Sequence, residues 1–159
     1  MRQKVIFSIL SKIITAAVLA LFAIGIISLW GNTDKLVFFI IIAAATTLVS
    51  MYYCPLSVES TESGVKINRL LSGAKSFSYS DIQAVDTCYP SAGGLRLCGC
   101  GGFMGYWGYF HDTMIGTFFG YFGSREQCIL LRLKSGRQYV IGCSNAPAMV
   151  KYISPRINH

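Results

Sequence analysis

Charged residues are scarce in this chain of 159 residues, since only 13% are Asp, Glu, Lys or Arg. An average soluble protein has about twice that share. Hydrophobic residues make up 53% of the sequence, and a water-soluble domain of this composition would expose far too much apolar surface. The shortage of charge therefore argues against an ordinary soluble protein and in favour of a membrane protein.

Residue types that carry catalysis are also scarce. The chain has two histidines, His111 and His159, and no pair of carboxylates with a spacing useful for acid–base work. Cys98 and Cys100 form one close cysteine pair, whereas a zinc site usually needs a second pair or suitably spaced histidines. We therefore expect no catalysis, no cofactor and no metal. The alternative is a membrane-bound enzyme that uses thiol or metal chemistry around Cys98, Cys100 and His111.

Nucleotide and nucleic-acid motifs are absent as well. The glycines that begin at Gly99 lack the spacing of a dinucleotide-binding loop, and no Gly-Lys-Ser/Thr follows them. The basic residues are dispersed along the predicted strands, so we expect no nucleic acid as a partner.

Two stretches lack charge entirely, Ile13 to Trp30 and Leu36 to Tyr53. A helix that crosses the hydrocarbon core needs about 20 residues. We predict a transmembrane helical hairpin over residues 1–54, with spans of about 8–30 and 36–53. The spans contain no Asp, Glu or His, and a transport pathway normally needs such groups. The hairpin is therefore expected to be an anchor.

The positive charges predict the orientation of this hairpin. Arg2, Lys4 and Lys12 precede the first span, and the loop between the spans carries only Lys35 and the compensating Asp34. The positive-inside rule then places the N-terminus in the cytoplasm, and two crossings return the chain to the same side. We expect a protein of the bacterial inner membrane whose C-terminal domain is cytoplasmic and whose cysteines are free thiols.

Residues 55–159 have the turn signals and alternating pattern of one small, mostly β domain. The clearest hairpin joins Cys128–Lys134 to Gln138–Cys143 through Ser135-Gly136, with apolar residues on one face and charges on the other. This pattern predicts a sheet with one solvated face. A helix is predicted at about 145–154, ended by Pro155. The fold class is therefore α+β, with six or seven antiparallel strands in a barrel that the helix caps.

Several stretches, in this order, resemble bacterial pleckstrin-homology-like (PH-like) domains attached to membrane spans. They are Ser63–Ile67, Phe77–Ile82, Leu95–Gly99, Gly102–Phe110, Arg137–Ile141 and Ser144–Pro147. The resemblance implies a binding or scaffold module, because PH folds often bind phosphoinositides or proteins, although a fold does not fix a function. The lipid-binding members have a Lys/Arg cluster in the first hairpin. Here that hairpin offers Lys66, Arg69 and Lys75, interrupted by Leu70–Ser72, so phosphoinositide binding is not carried over.

Residues 99–123, which we call the Gly/aromatic segment, contain eight glycines, nine aromatic residues and one formal charge, Asp112. Four interpretations remain open: irregular core strands, a loop that dips into the membrane interface, a surface for a protein or hydrophobic ligand, and a third span. The candidate contact residues for the lipid bilayer or a partner protein are Phe103, Tyr106, Trp107, Tyr109 and Phe110, together with Lys66, Arg69 and Lys75.

The leading hypothesis is a membrane-tethered, non-enzymatic PH-like module that acts by contact with a protein or a lipid surface. A further alternative is an accessory subunit of a larger membrane complex, with the helical hairpin as the element of assembly.

Overall fold

The computed structural model describes residues 1–91 and 93–157. Two long helices lie near the N-terminus, and two β-sheets and a last helix follow. The helices are α1 (Ile9–Ser28), α2 (Thr33–Tyr53) and α3 (Ala146–Ile157). The first sheet has the order β1 (Arg2–Lys4), β2 (Pro55–Ser60), β3 (Gly64–Arg69) and β4 (Lys75–Ser78). The second has the order β5 (Ile82–Cys88), β9 (Cys128–Leu133), β10 (Gln138–Gly142), β8 (Gly116–Phe122), β7 (Gly105–Asp112) and β6 (Leu95–Gly102).

The two N-terminal helices coincide with the uncharged stretches. Each begins at a polar cap: the Ser8 hydroxyl accepts a hydrogen bond from the Ser11 N–H, and the Asn32 side chain accepts one from the Lys35 N–H. Both helices are long and apolar enough to cross a membrane, with mean hydropathies of 2.3 and 2.1. Their surfaces are almost wholly exposed, since 6% and 11% of their most apolar stretches are buried. A core helix of a soluble protein would be buried instead.

The sheets do not form the barrel that the sequence analysis expected. The chain passes from β4 to β5 through a short 3-10 turn, and no ladder joins the two sheets in the described residues. The outer strand of the second sheet, β6, packs against α1 and does not pair with the first sheet. Pairing is antiparallel throughout these sheets except between β8 and β10.

Apolar side chains are buried on both faces of the second sheet. Ile129, Leu131 and Ile141 belong to a core that lies between the two sheets and α3. Leu130 and Val140 belong to a second cluster on the opposite face, together with aromatic residues of β7 and β8. The predicted solvated face is found only in part: Arg132 and Lys134 are exposed on it, whereas Leu130 on the same face is covered by the aromatic side chains of the neighbouring strands.

The last helix extends beyond Pro155, where the sequence analysis expected it to end. A proline lacks the N–H that would bond to the preceding turn. Here the Ser154 hydroxyl donates to the Val150 carbonyl, and the Arg156 guanidinium donates to the Tyr152 carbonyl at 2.6 Å. Pro155 removes only the one helical bond to the Lys151 carbonyl, close to the C-terminal end, and the helix continues to Ile157.

Candidate functional site

The N-terminal residues belong to the β domain. Strand β1 pairs with β2 in antiparallel register, with Gln3 opposite Val58. The buried Gln3 side chain accepts hydrogen bonds from the Asn145 N–H at 2.8 Å and the Ser144 hydroxyl at 3.2 Å, at the start of α3. The helical hairpin is therefore an insertion between two neighbouring strands. One residue, Cys54, separates α2 from β2.

The turn between β6 and β7 contacts α1 through two helix hydroxyls. Ser11 donates to the Gly102 carbonyl at 2.7 Å, and Thr15 accepts from the Met104 N–H at 2.9 Å. Gly102 has a φ of 121°, and a Cβ there would lie 2.6 Å from the Ile14 side chain. Glycine is favoured at this position chiefly because residues with a side chain rarely adopt this backbone conformation. These bonds satisfy two backbone groups of the turn, the Gly102 carbonyl and the Met104 N–H.

Aromatic contacts extend this junction along both helices. The Phe103 ring meets the Phe22 ring of α1 edge to face, with centroids 6.4 Å apart. The Trp107 ring stacks on the Tyr53 ring at the end of α2, with centroids 4.9 Å apart. We call this set of contacts the helix–domain interface. It consists of Ser11, Thr15, Phe22 and Tyr53 of the two helices and Gly102, Phe103, Met104 and Trp107 of the β domain. Through it, the Gly/aromatic segment holds the β domain against the two apolar helices.

Two apolar grooves flank the helix–domain interface. The first, of about 490 Å³, lies between one face of α1, the start of β2, the end of β3 and Met104. We call it the α1 groove. The second, of about 500 Å³, lies between α2, Val18 of α1 and the β6–β7 hairpin. The Trp107 Nε1 atom beside this second groove is buried and has no hydrogen-bond partner in the described residues.

Residues 56–157 match the family model described as "Bacterial PH domain". The chain belongs to the bacterial PH domain family. Neither the curated proteins nor the solved structures compared with this chain contain a match. PH domains are typically binding modules without catalytic activity, so family membership favours binding over catalysis.

The five aromatic candidates of this PH domain protein do not form one surface. Tyr106 and Phe110 are 5% and 7% exposed and belong to the second core cluster. Phe103 is buried against Phe22, and Trp107 is partly covered by Tyr53. Only Tyr109 is freely accessible, at 52%. The segment is thus built of strands that fill the core and meet the helices, and Tyr106 and Phe110 are not available for contact with lipid or a partner.

The three basic candidates of the PH domain do not converge either. Lys66 lies on the outer face of β3, opposite the face of Val65 and Ile67. Arg69 donates two hydrogen bonds to the Gly73 carbonyl, at 3.2 and 2.9 Å, and its guanidinium lies over the Tyr52 ring. The Lys75 ammonium lies among four aromatic rings, with centroids 4.6 to 5.9 Å away. The structure therefore does not assemble a Lys/Arg cluster in the first hairpin.

The residues of the enzyme alternative are also separated. His111 pairs with Leu95 in the ladder, three residues before Cys98, a distance of about 10 Å along a strand. The His111 Nδ1 atom lies 2.9 Å from the Thr117 hydroxyl. In residues 1–91 and 93–157, no group of His, Cys, Asp or Glu could hold a metal ion. His159 lies outside the described residues.

Three cysteines of the β domain, Cys88, Cys128 and Cys143, are buried thiols. Burial raises the pKa of Cys143 to about 11, and burial with the neighbouring Cys143 raises the pKa of Cys88 to about 12. Burial also raises the pKa of Cys128 and of the half-buried Cys100. Thiolates are the reactive form of cysteine, and the raised pKa values favour the protonated thiol near neutral pH. Cys98 is the exposed cysteine.

Asp112 is a structural carboxylate in a turn. It is 3% exposed, and it accepts hydrogen bonds from the backbone N–H groups of Ser91 and Met114, both at 2.8 Å, and of Ile115. The bonds from Ser91, followed by those from the two later N–H groups, lower the pKa of this carboxyl to about 2. Asp112 therefore stays ionised and joins Ser91, between β5 and β6, to the turn between β7 and β8.

Sequence reasoning did not identify Ser11, Thr15, Phe22 and Tyr53 as contact residues of the β domain. Ser11 and Thr15 are four residues apart, so they lie on one face of α1. Hydroxyl residues on one face of a membrane helix often mark a packing surface. That spacing is the signal in the sequence that could have indicated the junction.

Proposed function

We propose that this protein is a membrane-tethered PH-like binding module that acts at the cytoplasmic face through protein or lipid-surface contact, without catalysis. The observation that carries the proposal is the helix–domain interface, which fixes the PH domain to both apolar helices. With Cys54 as the single residue between α2 and β2, the domain has no long linker. A domain held at the bilayer meets other membrane components at a high effective concentration, so weak contacts suffice.

The pairing of β1 with β2 supports the proposed topology. These strands flank the helical hairpin in sequence and form one sheet, so the N-terminal residues and the PH domain lie on the same side of any membrane that the hairpin crosses. The charges of Arg2, Lys4 and Lys12 favour the cytoplasmic side of a bacterial inner membrane.

Exposed apolar side chains on the outer strands support a protein partner. Leu95 and Leu97 of β6 are 63% and 53% exposed, and Tyr109 of the neighbouring strand is 52% exposed. Strand β6 is an edge of the second sheet, and an unpaired edge strand offers hydrogen-bonding groups to another chain. This observation also favours the second candidate function, an accessory subunit of a larger membrane complex.

The topology is tested with Cys98, the exposed native cysteine. Membranes that contain the full-length protein are washed with carbonate and then treated with a membrane-impermeant maleimide. We expect the protein to stay in the membrane and Cys98 to be labelled in inverted vesicles but not in intact spheroplasts. A Cys98→Ser variant is the control. Release by carbonate would contradict the anchor, and labelling in spheroplasts would contradict the orientation.

The contact is tested by photo-crosslinking in native membranes. A crosslinking residue replaces Leu97 in one variant and Lys151, an exposed residue of α3, in the control. A specific protein adduct at position 97 that position 151 does not give would support a protein partner. Adducts with lipid alone at position 97 would favour contact with the bilayer.

A further inference from the structure

The α1 groove has the form of a lipid site if the proposed topology holds. Ser11, Thr15 and Leu19 line it, and they follow one face of α1 for about 12 Å. Leu56 of β2 and Leu70, the residue that follows β3, form the opposite wall. The groove therefore runs from the level of the domain down along the part of α1 that enters the apolar phase. Its lining is almost purely apolar, which suits a hydrocarbon chain and not a polar solute.

The upper end of the α1 groove carries one charge, Lys12. This residue is exposed and precedes the uncharged stretch that begins at Ile13. The one salt bridge in the described parts of the chain joins Arg132 to Asp86, so Lys12 has no carboxylate partner there. A lysine near the end of a membrane helix extends its ammonium towards the headgroups. A cation above an apolar channel is complementary to an anionic headgroup above its acyl chain.

We propose that the α1 groove binds one anionic glycerophospholipid of the cytoplasmic leaflet, with an acyl chain between α1 and the Leu56–Leu70 wall and the phosphate against Lys12. This inference rests on the proposed function, since it needs the helices in the membrane. The lipid contact of the proposed module then lies where α1 meets the β domain. The basic residues of the first hairpin, where lipid-binding PH domains hold their ligand, take no part.

The test measures lipids retained by the full-length protein in mild detergent, by native mass spectrometry with added phosphatidylglycerol or phosphatidylcholine. Three variants are compared with the original chain. Ala16→Phe fills the groove, Ala17→Phe places the same ring outside the groove lining, and Lys12→Gln removes the charge. The Ala16 and Ala17 positions are both exposed, so the pair is matched for burial. Thermal unfolding of each variant shows that it is folded.

We expect the original chain and Ala17→Phe to retain one phosphatidylglycerol and Ala16→Phe to lose it. Lys12→Gln should weaken the binding of phosphatidylglycerol about fivefold, since a lysine near an anionic surface contributes roughly 1 kcal/mol. The binding of phosphatidylcholine should stay unchanged. Equal retention by the Ala16 and Ala17 variants, or equal retention of both lipids by the original chain, overturns the site. If Ala16→Phe does not fold, the Lys12→Gln comparison decides alone. Release of the protein by carbonate would contradict the membrane anchor of the proposed function. An anchored protein that retains phosphatidylglycerol and phosphatidylcholine equally would overturn the lipid site and leave the anchor in place.

Discussion

Tyr53 and Trp107 stack with their ring planes 14° from parallel, and they join the last residue of α2 to the middle of β7. The pair matters because the two residues are far apart in the sequence and belong to the two halves of the molecule. Phe119 of β8 also lies beside Tyr53, with ring centroids 6.3 Å apart. The end of the second helix is thus part of the aromatic packing of the sheet.

We expect Tyr53→Leu and Trp107→Leu to destabilise the full-length protein non-additively. Stacked aromatic pairs contribute about 0.5 to 1.5 kcal/mol beyond their buried area, so a double-mutant cycle should give a coupling free energy of that size. Thermal unfolding in detergent measures it. The control pairs Trp107→Leu with Tyr89→Leu, a 69% exposed residue. A coupling near zero for Tyr53 and Trp107 would mean that the stack does not join the halves.

The Ser11 hydroxyl is expected to stabilise the β6–β7 turn. Ser11→Ala removes the 2.7 Å bond to the buried Gly102 carbonyl and leaves only the longer bond from the Thr15 hydroxyl, at 3.4 Å. We therefore expect a loss of about 1 kcal/mol, at the lower end of the cost of a buried polar group without a partner. Thr47→Val is the matched control, because the Thr47 hydroxyl bonds only to the Ala43 carbonyl within its own helix. Hydrogen exchange at the turn amides should increase in Ser11→Ala and stay unchanged in the control. Equal exchange in both variants would contradict the contact.

We expect Lys75 to stabilise the fold and not to bind a ligand. Its ammonium lies 4.6 Å from the Tyr139 ring centroid and donates to the Tyr139 hydroxyl at 3.3 Å. Cation–π contacts contribute about 0.5 to 2 kcal/mol, so Lys75→Met should lower the unfolding temperature. Lys66→Met, on the outer face of β3, should change stability by less than about 0.5 kcal/mol. Loss of vesicle binding in Lys75→Met at unchanged stability would refute this assignment.

Asp112 is expected to make the stability of the protein depend on pH below 4. Its pKa is about 2 when folded and 3.8 ordinarily. Because the pKa is lower in the folded state, the ionised carboxylate stabilises the fold. This stabilisation is fully present above pH 3.8 and is lost as the pH falls through about 2. The difference corresponds to roughly 2 kcal/mol at neutral pH. Asp112→Asn should remove this part of the pH dependence in thermal unfolding between pH 2 and 5. Asp34→Asn, in the exposed first turn of α2, should retain it.

The helices and several strands could be predicted because their signals are local. An uncharged stretch forms a helix regardless of distant residues, and the alternation of Val65 and Ile67 indicates a buried face within one strand. The sequence did not reveal β1. Arg2, Gln3 and Lys4 have no strand pattern, and only the pairing with β2 makes them a strand.

Sequence reasoning left core strands as one of four interpretations of the Gly/aromatic segment, and the faces of these strands could not be assigned without the pairing. Tyr106 and Tyr109 are the same residue type in the same strand, yet one is 5% and the other 52% exposed. Alternation places Tyr106, Gly108 and Phe110 on one face. Which face is buried depends on Phe118 and Phe122 of β8, opposite Phe110 and Tyr106, and thus on long-range contacts.

Because the helical hairpin is inserted between β1 and β2, the proposed topology makes the assembly of the first sheet depend on the bilayer. The ribosome completes β1 about fifty residues before β2, and closing so long a loop in a free chain has an entropic cost. Two helices placed side by side in lipid bring Lys4 and Pro55 together before the strands meet. In the proposed topology the membrane is thus a template for folding, and a fragment that starts at Pro55 would expose β2 as an unprotected edge, open to aggregation.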